Sequence, residues 1–211
     1  MNVADFKKLP ILGILRGIEL SSVEPLVETI ISSGLKTIEI TMNTQGAPEL
    51  IKQAQSIALG RLTIGAGTVL NLQDLEKALS AGASFIVSPV LVDSVMEYCV
   101  KNKVPVFPGA LTPAEIYKAW GSGATMVKVF PAKVFGPGYF REIKGPFPNI
   151  ELLACAGVTA QNLHEYLSSG ASAVTFGASV FRQEWLKNKD YEKIGSAIKE
   201  FVREFKGEKM R

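Results

Sequence analysis

Short apolar runs alternate along this chain with longer segments in which apolar residues recur every three or four positions. The first pattern predicts buried strands and the second predicts amphipathic helices. The strand candidates are PILGILR (10–16), LKTIEIT (35–41), RLTIGAG (61–67), SFIVSP (84–89), VPVFPG (104–109), TMVKVF (125–130), ELLACAG (151–157) and SAVTFG (172–177). Helices are expected at 21–33, 46–58, 71–81, 91–102, 112–121, 137–144, 159–168 and 190–206. Ser21, Asn71 and Thr112 stand near N-cap positions. Gly34, Gly82 and Gly170 follow apolar helical faces, as C′ glycines do. ISSGLKTIEI, LSAGASFIV and LSSGASAVTF repeat one phrase: helix end, small residues, glycine, strand. Eight such units, with short loops and no break in composition, predict the α/β class: a single (β/α)8 TIM barrel over 1–211, with a loose tail at 206–211. An open doubly wound sheet is the alternative, and no GxGxxG follows the first strand to favour it.

Strand residues alternate between faces, which makes one residue conspicuous. In TMVKVF, Val127 and Val129 share a face with Thr125, suited to packing under helices. Met126, Lys128 and Phe130 then point into the barrel. A lysine is among the last residues a buried strand should hold, because its charge must be desolvated. In LKTIEIT the same alternation sends Thr37, Glu39 and Thr41 inward. Arg16 ends the first strand and Thr68 follows the third, both at the end where barrel enzymes place their chemistry. A Lys128–Glu39 ion pair kept for packing alone would gain little over apolar side chains. Burial instead favours the free amine, which attacks ketones to form a Schiff base. Glu39 would move the protons.

Composition narrows the classes. The 211 residues are 47% hydrophobic and 20% charged, ordinary for a globular protein. A net charge of +3 does not argue for a nucleic-acid or membrane partner. Cys99 and Cys155 form neither a disulfide framework nor a CxxC metal spacing. The single histidine, His164, is expected as a solvated helix residue and leaves no multi-histidine metal site. The apolar run after the two N-terminal lysines is too short for a signal peptide, and no run reaches membrane-spanning length, so a cytoplasmic protein without metal or cofactor is expected.

The last two strands end in CAGVT (155–159) and FGAS (176–179). Small residues before a helix start leave backbone N–H groups open to an anion, and barrels often bind phosphate at these two loops. Cys155, Ala156, Gly157, Gly177, Ala178 and Ser179 are therefore candidate substrate contacts, although small residues also serve tight turns. Pro89, Pro108–Gly109 and the turn FGPGYF (135–140) are expected to shape the mouth.

At these residues the chain resembles the 2-keto-3-deoxy-6-phosphogluconate aldolases, also called 4-hydroxy-2-oxoglutarate aldolases. The likeness runs from ILRG (14–17) through IEIT (38–41), IGAGTV (64–69), FIVSP (85–89), PGALTP (108–113), VKVFPA (127–132) and GPF (145–147) to GVT (157–159) and FGAS. The resemblance implies a class I aldolase that releases pyruvate from a keto acid or sugar phosphate, and a homotrimer. It implies Lys128 as the Schiff-base lysine, Glu39 as general acid/base through a water, and Arg16 and Thr68 at the carboxylate end. The backbone around Gly157 and Ala178–Ser179 would take the phosphate. Departures stand out at three residues, Asn43, Cys155 and Ala156. Asn43 occupies a position where many members carry a substrate-binding arginine; galactonate-type relatives also have Asn in this region, and FGPGYF resembles their turn. Cys155-Ala156-Gly157 stands where Thr-Gly-Gly is usual. A 6-phosphogalactonate aldolase, a non-covalent sugar-phosphate isomerase and a binding barrel are the alternative functions.

Overall fold

The computed structural model describes residues 1–207. Nine parallel strands lie in the order β5-β4-β3-β2-β1-β9-β8-β7-β6. They are β1 (Ile11–Leu15), β2 (Thr37–Thr41), β3 (Thr63–Gly67), β4 (Ile86–Val87), β5 (Val106–Phe107), β6 (Gly109–Ala110), β7 (Val127–Val129), β8 (Leu152–Ala154) and β9 (Ala173–Phe176). Only Pro108 separates β5 from β6, so both belong to one predicted strand. Proline has no N–H to donate and interrupts the ladder there. The first half pairs with β4 and the second with β7. Thr125 N–H donates to Val106 O at 2.9 Å, and Lys128 N–H to Pro108 O at 2.8 Å, which closes the ring. The expected eight-stave barrel is the observed fold. Gly109 permits this corner: a Cβ there would overlap the backbone carbonyl of Pro89.

The expected helices are present, with shorter ends. They are α2 (Val23–Ser32), α3 (Ala47–Ala58), α4 (Leu72–Ser80), α5 (Asp93–Lys101), α6 (Pro113–Gly121), α7 (Gly138–Lys144), α8 (Leu163–Ser168) and α10 (Tyr191–Lys206). Asn71 caps α4, and Thr112 caps α6 in a full capping box with Glu115. Gly34, Gly82 and Gly170 take φ of 87°, 95° and 107°, as C′ glycines require. Ser21 is a correction: it lies inside a 3₁₀ turn, Leu20–Ser22, and caps nothing. Two short helices, α1 (Val3–Lys8) and α9 (Gln183–Lys187), escaped the periodicity. Lys206 closes α10 and Gly207 follows it with φ 69°; the rest of the expected loose tail lies outside the described residues.

The core has two parts. Val127, Val129, Ile38 and Ile40 pack outward under the helices. Leu12, Phe85, Val87, Phe107, Met126, Leu153 and Ala173 fill the barrel interior, and Phe6 of α1 plugs its lower end against Phe107 with ring centres 6.0 Å apart. Met126 inside and Val127 outside confirm the alternation that turned Lys128 inward. No helix among the described residues is long and apolar enough to cross a membrane.

Candidate active site

Lys128 is 5% exposed and Glu39 is 1% exposed, both above the apolar plug. No direct ion pair joins them. Burial raises the pKa of Glu39, and the nearby charges of Lys128 and then Arg16 only partly oppose it. Its Oε2 has no hydrogen-bond partner among the described residues. An unsatisfied buried oxygen is costly unless a substrate or water meets it.

The place for this carboxyl is made by an absence. Gly67 pairs with Thr41 in the register and lies diagonal to Glu39 across β2 and β3, yet the Glu39 side chain leans over it: a Cβ on Gly67 would lie 2.6 Å from Glu39 Cδ and overlap its Oε1. Gly65, two residues earlier on the same face, likewise makes room for the Phe85 ring, whose atoms would be 2.5 Å from a Cβ. These two glycines supply space, for neither takes a positive φ.

A cavity of about 440 Å³ opens at the C-terminal ends of β1, β7, β8 and β9. Its walls include Arg16, Phe130, Lys133, Thr175, Gln183 and both small-residue loops. Lys128 meets two of these walls: Nζ is 5.3 Å from the centre of the Phe130 ring, and the side chain lies against the Cys155 thiol. Burial pushes the Cys155 pKa up, with the charge on Lys128 pulling the other way. Arg16 is exposed at the rim, its backbone held from both sides. Gln183 Nε2 donates to Arg16 O at 3.2 Å, and Gly17 N–H donates to Thr44 Oγ1 at 3.0 Å.

The two loops form the far end of the cavity. Asn162 fixes the first: its Oδ1 accepts from Thr159 N–H at 2.8 Å and its Nδ2 donates to Gly157 O at 3.0 Å. Ser179 Oγ donates to Val158 O at 3.4 Å and ties the loops together. The N–H groups of Gly157, Ala178 and Ser179 have no partner among the described residues. Ala156 has φ 76°, which a side chain resists. Gly157 has φ 88°, and a Cβ there would lie 2.5 Å from Lys133 Cβ.

Of the expected site residues, Arg16, Cys155, Ala156, Gly157, Gly177, Ala178 and Ser179 stand on the cavity wall, while Lys128 and Glu39 are buried behind it, Lys128 against Phe130 and Cys155. Thr68, Asn43 and Pro89, expected in the same site, stand outside the walls of this cavity at the ends of β3, β2 and β4. Thr68 is half-buried with φ 57°, and Asn43 is exposed. His164 lies elsewhere, exposed on α8 with Nε2 2.6 Å from Glu204 O. Besides apolar wall residues such as Ile14 and Phe181, three polar ones outside the expected loops were not foreseen. Lys133 sits on a 3₁₀ turn after β7, Gln183 begins α9, and Thr175 faces inward on β9. Alternation sets Thr175 on the inward face with Ala173, but a threonine on a strand draws no notice.

A buried inward lysine, a neighbouring carboxyl with a raised pKa and an anion-ready loop pair suit carbonyl chemistry on a phosphorylated chain. A family model described as KDPG and KHG aldolase matches residues 3–197. The chain belongs to that aldolase family. It is 32% identical to 2-dehydro-3-deoxy-6-phosphogalactonate aldolase of Escherichia coli, over 83% of this chain and 86% of that one. It is 36% identical to 2-dehydro-3-deoxy-phosphogluconate aldolase of Pseudomonas aeruginosa, over 68% and 66%. The KDPG aldolase of Legionella pneumophila, solved with pyruvate captured at low pH as a covalent carbinolamine, superposes with a TM-score of 0.86 at 26% identity, covering 93% and 95%. This aldolase, a carbon–carbon lyase, thus resembles a protein whose covalent pyruvate adduct has been seen.

Proposed function

We propose that this aldolase cleaves 2-keto-3-deoxy-6-phosphogluconate to pyruvate and glyceraldehyde 3-phosphate through a Schiff base on Lys128, and 4-hydroxy-2-oxoglutarate to pyruvate and glyoxylate in the same way. The observation that carries this reading is the 5%-exposed amine of Lys128 inside the barrel, near a buried carboxyl of raised pKa. The free amine adds to the C2 ketone, and loss of water leaves an iminium. Glu39, through a water, takes the proton of the C4 hydroxyl. The C3–C4 bond breaks, its electrons pass to the iminium as an enamine, and the aldehyde leaves. Protonation of the enamine at C3 and hydrolysis release pyruvate and restore the lysine.

Arg16 receives the C1 carboxylate at the rim, a role supported by its place on the cavity wall and its effect on Glu39. The open N–H groups of Gly157, Ala178 and Ser179 receive the phosphate. Asn43, Thr68 and Pro89 shape the mouth outside this cavity. A galactonate-configured substrate is the second reading, supported by Asn43 and by the E. coli relative spanning 83% of this chain.

The protein acts as one barrel domain in the cytoplasm and as a homotrimer. Exposed Leu70, Val90 and Phe135 on loops that follow strands at the active-site end, with Leu72 opening α4 and Val134 in the 3₁₀ turn after β7, support the oligomer. Borohydride reduction with pyruvate tests the chemistry. Covalent labelling of the wild type and none of Lys128→Ala is expected; labelling that persists in Lys128→Ala would refute it. Pyruvate release from gluconate- and galactonate-type substrates, with and without phosphate, then ranks the substrates.

A further inference from the structure

Thr175 is 1% exposed, it lines the cavity, and its Oγ1 has no oxygen or nitrogen hydrogen-bond partner among the described residues, only a weak contact with the Cys155 thiol. A buried hydroxyl without a partner is unfavourable, so such groups in folded proteins call for an explanation. Packing would be served equally by valine, which has the same shape and no unmet donor. The strand register shows where this hydroxyl works. Leu153 pairs with Ala173 and Ala154 with Val174, so the next step sets Cys155 beside Thr175. Leu153 and Ala173 belong to the interior cluster, so two residues further along the same faces Cys155 and Thr175 also point inward. The Cys155 thiol stands against both the Lys128 and the Thr175 side chains, and a thiol is a weak partner for a hydroxyl. On the other side of Thr175, two residues along the strand, the anion loop begins at Gly177. The hydroxyl therefore sits between the amine that holds the keto carbon and the loop that holds the far anion.

We infer that Thr175 is a specificity-determining residue whose hydroxyl bonds a hydroxyl of the aldehyde half of the substrate, on the carbons between the Schiff base and the terminal anion. This rests on the Schiff-base reading above and adds to it the group that recognises the middle of the chain. A site built to bond a substrate hydroxyl discriminates strongly against what lacks it, because its own polar group is then left unpaired. Pyruvate has no aldehyde half, so its reaction with Lys128 does not involve this bond.

That difference defines the experiment. Thr175→Val and Thr175→Ser are compared with wild type in two assays: cleavage of the phosphorylated keto sugar acid, and borohydride trapping with pyruvate. Thr175→Val is expected to lower kcat/KM for cleavage by roughly 10- to 100-fold while pyruvate trapping proceeds as in wild type. Thr175→Ser restores most of the cleavage. Unchanged cleavage in Thr175→Val would overturn the inference, since the hydroxyl would then be structural. So would an equal loss of trapping and cleavage, which would mean that Thr175 acts by placing Lys128. A wild-type enzyme that pyruvate and borohydride fail to label would refute the Schiff-base reading itself, a different result from either.

Discussion

Gly67→Ala tests whether the acid is held where catalysis needs it. An added Cβ would stand 2.6 Å from Glu39 Cδ and 3.1 Å from its Cγ. To regain ordinary contact the carboxyl carbon must retreat by about 0.8 Å, or the two strands must part. The strands resist, because β2 and β3 pair in register from Thr37–Thr63 to Thr41–Gly67. The side chain therefore moves, leaving its rotamer at a cost of about 0.5–1.5 kcal/mol within a total overpacking penalty of about 1–3 kcal/mol. For a chain of this length that lowers Tm by roughly 2–10 °C. Turnover suffers more, since a displacement near 1 Å costs on the order of 100-fold when a proton must be passed in place. The assay is steady-state cleavage on folded protein, with melting by circular dichroism and borohydride trapping alongside. The expected result is a large loss of kcat with Lys128 still labelled by pyruvate. Gly65→Ala is the control: it collides with Phe85 and lowers Tm, while the folded fraction turns over close to wild type. A Gly67→Ala enzyme with wild-type kcat would refute the placement of Glu39 as the acid.

Three further outcomes are expected. Glu39→Gln slows cleavage and raises stability at neutral pH. The folded pKa of Glu39 is raised, so the wild type loses stability as pH rises from the ordinary value of 4.5 through the folded one. Melts from acid to neutral pH should show the variant's advantage growing; an advantage independent of pH would contradict this. Lys133→Ala, which removes an exposed cation beside Gly157, is expected to raise KM about 3- to 10-fold for phosphorylated substrates and not for unphosphorylated ones; equal effects on both would remove Lys133 from the anion end. Ala156→Gly relieves a left-handed residue at φ 76°. Strain relief of about 1–2 kcal/mol less about 0.5–1 kcal/mol of chain entropy raises Tm by roughly 0–6 °C; a lower Tm would show that Ala156 is not strained.

Much of the barrel was legible because short apolar runs mark strands buried on both faces, while a period near 3.6 marks helices with one buried face. Lys128 and Glu39 were legible for the same reason: a charge on an apolar strand is an exception that alternation turns inward. Elements too short for a period were hidden. VADFKK and QEWLK, six and five residues long, each bury a single side chain, Phe6 and Leu186, too few to set a period. Pro108 was visible, yet its division of one stave between two neighbours depends on the closed ring. Thr175 was hidden by its own suitability, because threonine is a good strand residue and calls for no explanation until its hydroxyl is seen unpaired.

The glycines of IGAGTV show why motif reading falls short of geometry. In sequence they close the strand candidate RLTIGAG, and Thr68 just beyond is the polar group worth naming. In space Gly65 is filled by Phe85 and Gly67 by the Glu39 carboxyl, while Thr68 lies outside the cavity that Lys128 adjoins. IEIT and IGAGTV are therefore one feature written twice, an acid on one strand and the space for it on the next. A chain carrying IEIT with any side chain at position 67 could still form the barrel, since strands tolerate alanine or serine well enough. It could not keep the carboxyl where this one lies. Fold and chemistry thus place different demands on the same strand pair, and only the second requires that nothing be there.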